Sequence, residues 1–299
     1  MAERVEIFEV GPRDGLQNEA RPIALSDKLR LVDLLSGCGF ARIEVASFVS
    51  PRWVPQMADS DRVLAGIKRV PGISYAALTP NLRGFQAALD AGADEIAIFG
   101  SASEGFSRAN INCSINESLA RFAPVAAAAR KAGLPVRGYV SCVTDCPYDG
   151  PTPPAQVARV AAALFGMGCY EVSLGDTIGQ GTPETVRAML QAVLSEIPAA
   201  HLAGHFHDTN GRALENIEVA LDLGLRVFDA AVGGLGGCPY APGAAGNVAS
   251  EAVDARLVAL GFETGLDARR LEQAAAFARR LRPAGGADDN TGIEEPGHV

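Results

Sequence analysis

The phrase LDAGADEIAIFG at residues 89–100 returns in altered letters as FGMGCYEVSLGD at residues 165–176. In each, a helix-period segment stops at a glycine and a short aliphatic run begins within three residues. LSGCGFARIEVAS, RVPGISYAAL, RKAGLPVRGYVS and LDLGLRVFDAAVG follow the same rule, so Gly39, Gly72, Gly92, Gly133, Gly168 and Gly224 are candidate helix-ending residues. Glycine suits that place because the residue that ends a helix often takes a positive φ. Adding EIFEVG near the start and HLAGHFH around residue 205 gives eight strand candidates alternating with helices. That alternation is the pattern of an α/β fold, a (β/α)8 TIM barrel, here with a C-terminal helical extension. A doubly wound sheet would want a glycine-rich phosphate turn after an early strand, and GPRDGLQNE lacks the G-x-G-x-x-G spacing. Helix starts are expected at Ser26 in LSDKLRLVDLL and at Thr182, where Pro183 follows.

The bulk properties agree with one barrel. The chain has 299 residues, 48% of them apolar and 20% charged, with a mean hydropathy of +0.12. Residues 1–282 read as a single catalytic domain, and residues 283–299, with four acids and no Lys or Arg, as a disordered acidic tail. No apolar run reaches the roughly eighteen residues of a membrane helix, and MAERVEIFEV has the marks of neither an export nor an import leader. A cytoplasmic protein without membrane association is expected. The net charge of −9 argues against a nucleic-acid partner. The six cysteines are scattered rather than clustered, which fits a reducing compartment. The pair in CVTDC, with three residues between the thiols, reads as structural rather than as a metal or redox motif.

Barrel enzymes carry their chemistry at the C-terminal ends of the strands. In that order the first strand delivers Arg13 and Asp14, the second Glu44, the sixth Asp176, and the seventh His205 and His207. After the eighth comes GGLGGCPYAPGAAGN, residues 233–247, a loop rich in glycine with Cys238 in its middle. The histidines of GHFHDTNG are two apart, and on a strand that spacing puts both rings on one face. A hydrogen-bonded structural pair is the competing reading. With Asp14 and Asn247 they would offer two nitrogens and two oxygens, a set suited to Mg²⁺ or Mn²⁺ with open positions rather than to a closed zinc site.

At these residues the chain resembles a known family. EVGPRDGLQNE, IEVASFVSPRWVPQMAD, NINCSINES, RGYVSCV, GHFHDTNGRALENI and GGLGGCPYAPGAAGNVASE are similar to hydroxymethylglutaryl-CoA lyases, over residues 4 to 282. The RDG turn, DTIG and HxHD elements are shared with a wider set of metal-dependent barrel lyases and synthases, whereas the cysteine loop is typical of the lyase. The resemblance implies cleavage of 3-hydroxy-3-methylglutaryl-CoA to acetyl-CoA and acetoacetate, in leucine breakdown, by a homodimer acting on an acyl-CoA. It implies Asp14, His205, His207 and Asn247 as ligands of a divalent cation, Mg²⁺ or Mn²⁺. Arg13 would bind substrate and take part in catalysis, with Glu44 an active-site acid and Cys238 the catalytic cysteine.

The chemistry expected of these groups is a retro-Claisen cleavage. Arg13 would stabilise the developing enolate, Asp14 or His205 would accept the hydroxyl proton, and Cys238 would donate a proton rather than act as a covalent nucleophile. Gln17 and Ser141 are expected to contact substrate, and Asp176 to act indirectly. Arg269, Arg270, Arg279, Arg280 and Arg282 are expected on the solvated face of a C-terminal helix. The alternatives are a lyase for a longer 3-hydroxy-3-alkylglutaryl-CoA and a Claisen-type synthase of the isopropylmalate kind.

Overall fold

The computed structural model describes residues 2–19, 21–238 and 241–282, and of residues 237, 238 and 241–245 the backbone alone. Eight parallel strands close into a barrel: β1 (Glu6–Glu9), β2 (Arg42–Ser47), β3 (Ser74–Leu78), β4 (Glu95–Ser101), β5 (Val136–Ser141), β6 (Glu171–Asp176), β7 (Leu202–Phe206) and β8 (Val227–Ala230). Each strand pairs with its sequence neighbours, and β8 pairs with β1 from Glu6↔Val227 to Glu9↔Ala230 to complete the ring. Helices run between successive strands, so the fold is the expected (β/α)8 TIM barrel.

All six candidate glycines have positive φ, from +74° at Gly133 to +103° at Gly39, and five of them come just after a helix. Gly72 does not, because its helix, Ser60–Gly66, has already ended at an extended Ile67 and Gly72 lies in a turn of its own. At Gly39 the demand is twofold, because a Cβ there would also lie 2.5 Å from the carbonyl oxygen of Gly265. Thr182 caps its helix as expected, accepting from the amide of Thr185 with Pro183 at the first position. Ser26 does not cap. The helix Leu25–Ser36 begins from Ala24, whose carbonyl accepts from the amides of Asp27 and Lys28, so Ser26 lies already inside the first turn.

The apolar core lies between the strands and the helical ring. Ile43, Ile96, Ile98, Val140 and Val172 point outward from the barrel and pack with Leu31, Leu35, Phe122, Val160, Leu164 and Val193. Barrel interiors are ordinarily filled by branched apolar layers. This one holds ion-paired arginines instead. The guanidinium of Arg137 sits 4.3 Å from the ring centroid of Phe8 and 4.9 Å from that of Tyr139. Arg42 lies 4.7 Å from the Phe8 ring on the N-terminal side.

The C-terminal helix, Ala268–Leu281, buries Leu271, Ala274, Ala275 and Ala278 against the barrel. Arg269, Arg270, Arg279 and Arg280 are exposed as expected, but Arg282 turns inward and donates to the carbonyl of Gly234 at the root of the glycine-rich loop. That loop is not irregular. Its backbone forms an antiparallel ribbon, Gly237–Cys238 against Ala241–Ala245, closed by a bond from the amide of Gly246 to the carbonyl of Gly236 at 3.0 Å. Cys142 and Cys146 are buried free thiols, and burial pushes Cys142 well above the ordinary thiol range. The acidic tail, residues 283–299, lies outside the described residues. Among the described residues no helix is long and apolar enough to cross a membrane.

Candidate active site

The first active-site element is a tight turn at the mouth of the barrel. After β1 the chain winds into one π-helical turn, Gly11–Gly15, in which the carbonyl of Val10 accepts from the amides of Arg13, Asp14 and Gly15. This refines the sequence expectation, since Arg13 and Asp14 ride on that turn rather than on the strand end. Gly15 has no room for a side chain: a Cβ would lie 2.6 Å from the Cβ of Leu235. The buried carboxylate of Glu9 ties the turn to its neighbours, accepting from the amides of Gly11 (2.8 Å) and Val232 (3.0 Å) and from Ser250 Oγ (2.6 Å). Burial pushes Glu9 up to about 7 despite those three bonds.

Asp14, His205 and His207 converge at this mouth, each offering one ligand atom, and these atoms lie within 4.8 Å of one another. The two imidazoles are 5.2 Å apart between ring centroids, as a period of two on one strand face requires. His205 is the penultimate residue of β7, whereas His207 lies one residue beyond the strand's end, in an isolated bridge to Asn247. Asn247 Nδ2 donates to Asp14 Oδ2 at 2.9 Å and to the carbonyl of Leu235 at 3.2 Å. Both amide hydrogens are thereby committed, which leaves Oδ1 as the atom for an ion.

The protonation of these groups suits a cation. Burial favours the neutral ring of His207 and His205 adds to it, holding His207 down to about 4. Its Nδ1 is buried with no hydrogen-bond partner. Burial works against the charge of Asp14, yet Arg13, the two histidines and Asn247 outweigh it and hold the carboxyl at about 2. Mixed nitrogen and oxygen donors around a carboxylate fit a divalent cation. Asp14, His205 and His207 are thus a possible metal-binding group.

Arg13 is aimed across the barrel mouth by two carboxylates. Its Nη1 lies 2.5 Å from Asp14 Oδ1 and its Nη2 lies 2.5 Å from Glu44 Oε2, to which Tyr139 also donates at 3.2 Å. Burial opposes its charge, but Glu44 and Asp14 outweigh that penalty and Arg13 stays cationic. Glu44 on β2 is wholly buried, and burial raises it although Arg13 pulls the other way. A fixed cation therefore stands beside the Asp14–His205–His207 group at one rim.

The same arrangement has relatives. The HMGL-like family model matches residues 4–278. The chain belongs to the HMGL-like family. It is 60% identical over 274 residues to a 3-hydroxy-3-isohexenylglutaryl-CoA/hydroxy-methylglutaryl-CoA lyase of Pseudomonas aeruginosa, covering 92% of this chain and 91% of that protein. It is 58% identical over 275 residues to the mitochondrial hydroxymethylglutaryl-CoA lyase of Gallus gallus, covering 92% of each. The crystal structure of the HMG-CoA lyase from Brucella melitensis superposes with a TM-score of 0.93 at 62% identity, covering 94% of this chain and 99% of that one.

Within this HMGL-like barrel the remaining expected residues are placed unevenly. Gln17 is half-buried and lines a groove of about 470 Å³ with Trp53, Gln56 and Lys28, a groove that none of Asp14, His205 and His207 lines. Ser141 ends β5, half-buried, in register with Ser101 and Gly175. Asp176 accepts from Thr144 Oγ1 and the amide of Gly181, so it braces the loops after β5 and β6. The side chain of Cys238 lies outside the described residues. Sequence reasoning missed Arg137, Tyr139, Ser173 and Asp229, which line the barrel beneath the cluster. The available signal was a charge at an interior-facing strand position, as in VRGYVS and VFDA.

Proposed function

We propose that this HMGL-like protein is a divalent-metal-dependent carbon–carbon lyase that cleaves 3-hydroxy-3-methylglutaryl-CoA to acetyl-CoA and acetoacetate, a step of leucine breakdown. The observation that carries the reading is the pairing of Arg13 with the Asp14–His205–His207 cluster at one rim. The substrate is a tertiary alcohol. Its C3 hydroxyl must lose a proton, the C2–C3 bond must break, and the bonding pair must pass into the thioester as an enolate that is then protonated at C2.

Asp14, His205, His207 and Asn247 would hold Mg²⁺ or Mn²⁺, which when bound supplies Lewis-acid polarisation of the C3 oxygen. The protein's own groups do the rest. Arg13 offers a preorganised cation to the enolate oxygen, a type of contact worth roughly 3–4 kcal/mol in a transition state. Asp14 takes the hydroxyl proton, because Nδ1 of His205 is already engaged with Asp229 and its Nε2 faces the cluster, and the Cys238 thiol returns one to C2. An ordinary thiol, with a pKa of about 8.5, stays mostly protonated at neutral pH and suits that step. Glu44 and Tyr139 hold Arg13 rather than touch the reacting carbons. Gln17 and Ser141 would meet the acyl-CoA from the rim.

A second substrate is favoured by one observation: the Pseudomonas aeruginosa relative carries the isohexenyl as well as the methyl substrate in its name. The family resemblance supports a homodimer, and the cysteine usage supports a cytoplasmic location. The test is a coupled assay for the keto-acid product with methyl and isohexenyl substrates, each with and without Mg²⁺ or Mn²⁺. Cation-dependent cleavage of the methyl substrate is expected, and cleavage of neither substrate overturns the reading.

A further inference from the structure

Beneath the cluster the barrel axis is a column of alternating charge. Arg137 on β5 is fully buried and grips Asp229 on β8 with two nitrogens, Nη2 to Oδ1 at 2.7 Å and Nη1 to Oδ2 at 3.1 Å. Its Nε donates to Glu171 Oε1 at 2.6 Å, and Arg42 reaches the same carboxylate at 3.1 Å. Ser173 Oγ on β6 donates to Asp229 Oδ2 at 2.7 Å. Two strands, β5 and β6, thus converge on one carboxylate of β8 that is 2% exposed.

What that carboxylate faces upward is His205. Nδ1 of the ring lies 3.0 Å from Asp229 Oδ2. A carboxylate already receiving a guanidinium fork and a hydroxyl is an acceptor only, so Nδ1 carries a proton, and in the neutral ring it is Nε2 that presents the lone pair. Nε2 is the nitrogen turned to the cluster, 4.0 Å from Asp14 Oδ2. The ring of Tyr139 stands edge-on to that of His205, at 86° with centroids 6.4 Å apart, and limits its rotation from the side.

We propose that Asp229, clamped by Arg137 and Ser173, is a positioning residue that sets the tautomer and ring orientation of His205 and so builds the ligand set before any ion arrives. The inference rests on the metal reading of the cluster given above. Outer partners of this kind orient metal-binding histidines, and their loss ordinarily weakens metal binding by about 10–100-fold. A purely structural ion pair would stabilise the barrel without governing which nitrogen of His205 is bare.

Two readouts separate these roles, and neither is turnover. Histidine-labelled, metal-free protein is examined by ¹⁵N NMR for the tautomer of His205, and Mn²⁺ affinity is measured by titration. Wild type should show the Nδ1–H form and bind Mn²⁺; Asp229→Asn should lose the single tautomer and bind Mn²⁺ about 10–100-fold more weakly. If Asp229→Asn strands the Arg137 charge and fails to fold, the double variant Asp229→Asn with Arg137→Met, which removes both charges, is judged by the same two readouts. A folded variant that keeps the Nδ1–H form and the wild-type affinity overturns the proposal. A wild type that binds no Mn²⁺ overturns instead the metal reading on which it rests.

Discussion

Asn247 Nδ2 donates to Asp14 Oδ2 at 2.9 Å across a sequence separation of 233 residues. That bond joins the turn after β1 to the far root of the cysteine ribbon, and it leaves the amide oxygen for a cation. Replacing Asn247 with Ala would remove two donated bonds from a buried site, at about 1–3 kcal/mol of stability. The expected outcome is Mn²⁺ affinity and kcat each down at least about tenfold, consistent with loss of one ligand. Denaturant unfolding and Mn²⁺ titration check it, and an unchanged affinity would remove Asn247 from the ligand set.

Arg13→Lys keeps a positive charge but not the fork that meets Asp14 and Glu44 at once. If Arg13 acts on charge that develops only in the transition state, kcat should fall by roughly 10²–10³ while KM moves little. A rise in KM with kcat intact would instead make Arg13 a ground-state anchor for the acyl-CoA.

Cys238→Ser keeps shape but replaces a thiol by a hydroxyl whose proton is far harder to give up. Turnover should drop by at least about 10²-fold, the usual scale for a lost general acid, with substrate binding nearly unchanged. Normal turnover in this variant would exclude the thiol as proton donor.

Glu9 gives a pH dependence that Glu9→Gln should erase. Its folded-state value, about 7, lies above the ordinary glutamate value of 4.5. A carboxyl raised in the folded state contributes its stability fully below the unfolded value and loses it as pH rises through the folded one. The relevant window is therefore from about pH 4.5 to about pH 7. Urea unfolding across that range should show wild type losing on the order of 3 kcal/mol relative to Glu9→Gln, from 1.36 kcal/mol per pH unit of difference. A constant gap between the two proteins across the window would show that Glu9 stays ionised.

Much of this architecture was open to local reasoning. Six glycines in the same phrase predicted six positive φ angles and each is found, five of them at a helix end and Gly72 in a turn beyond one. His205 and His207 were placed on one face because a strand repeats every two residues, and their rings do meet. Ser26 went wrong for an equally local reason: a serine near a helix start looks like a cap wherever the helix begins, and only the bonds to the Ala24 carbonyl fix that point. The cysteine segment read as a loop because glycine and proline signal turns, whereas its backbone pairs across a bulge into a ribbon.

By itself, then, the sequence determined the alternation of strand and helix, the barrel it closes into, and the residue types at the C-terminal rim. Those follow from periodicity and backbone preference, which act within a few residues. The tertiary structure alone decided that Arg137 would fork onto Asp229 92 residues away, that Asn247 would reach Asp14, and that Arg282 would hold the root of the ribbon. A strand's alternation states which face a charge occupies. Only closure of the barrel states which opposite charge it finds there, and in a buried interior that partner is what makes the charge affordable.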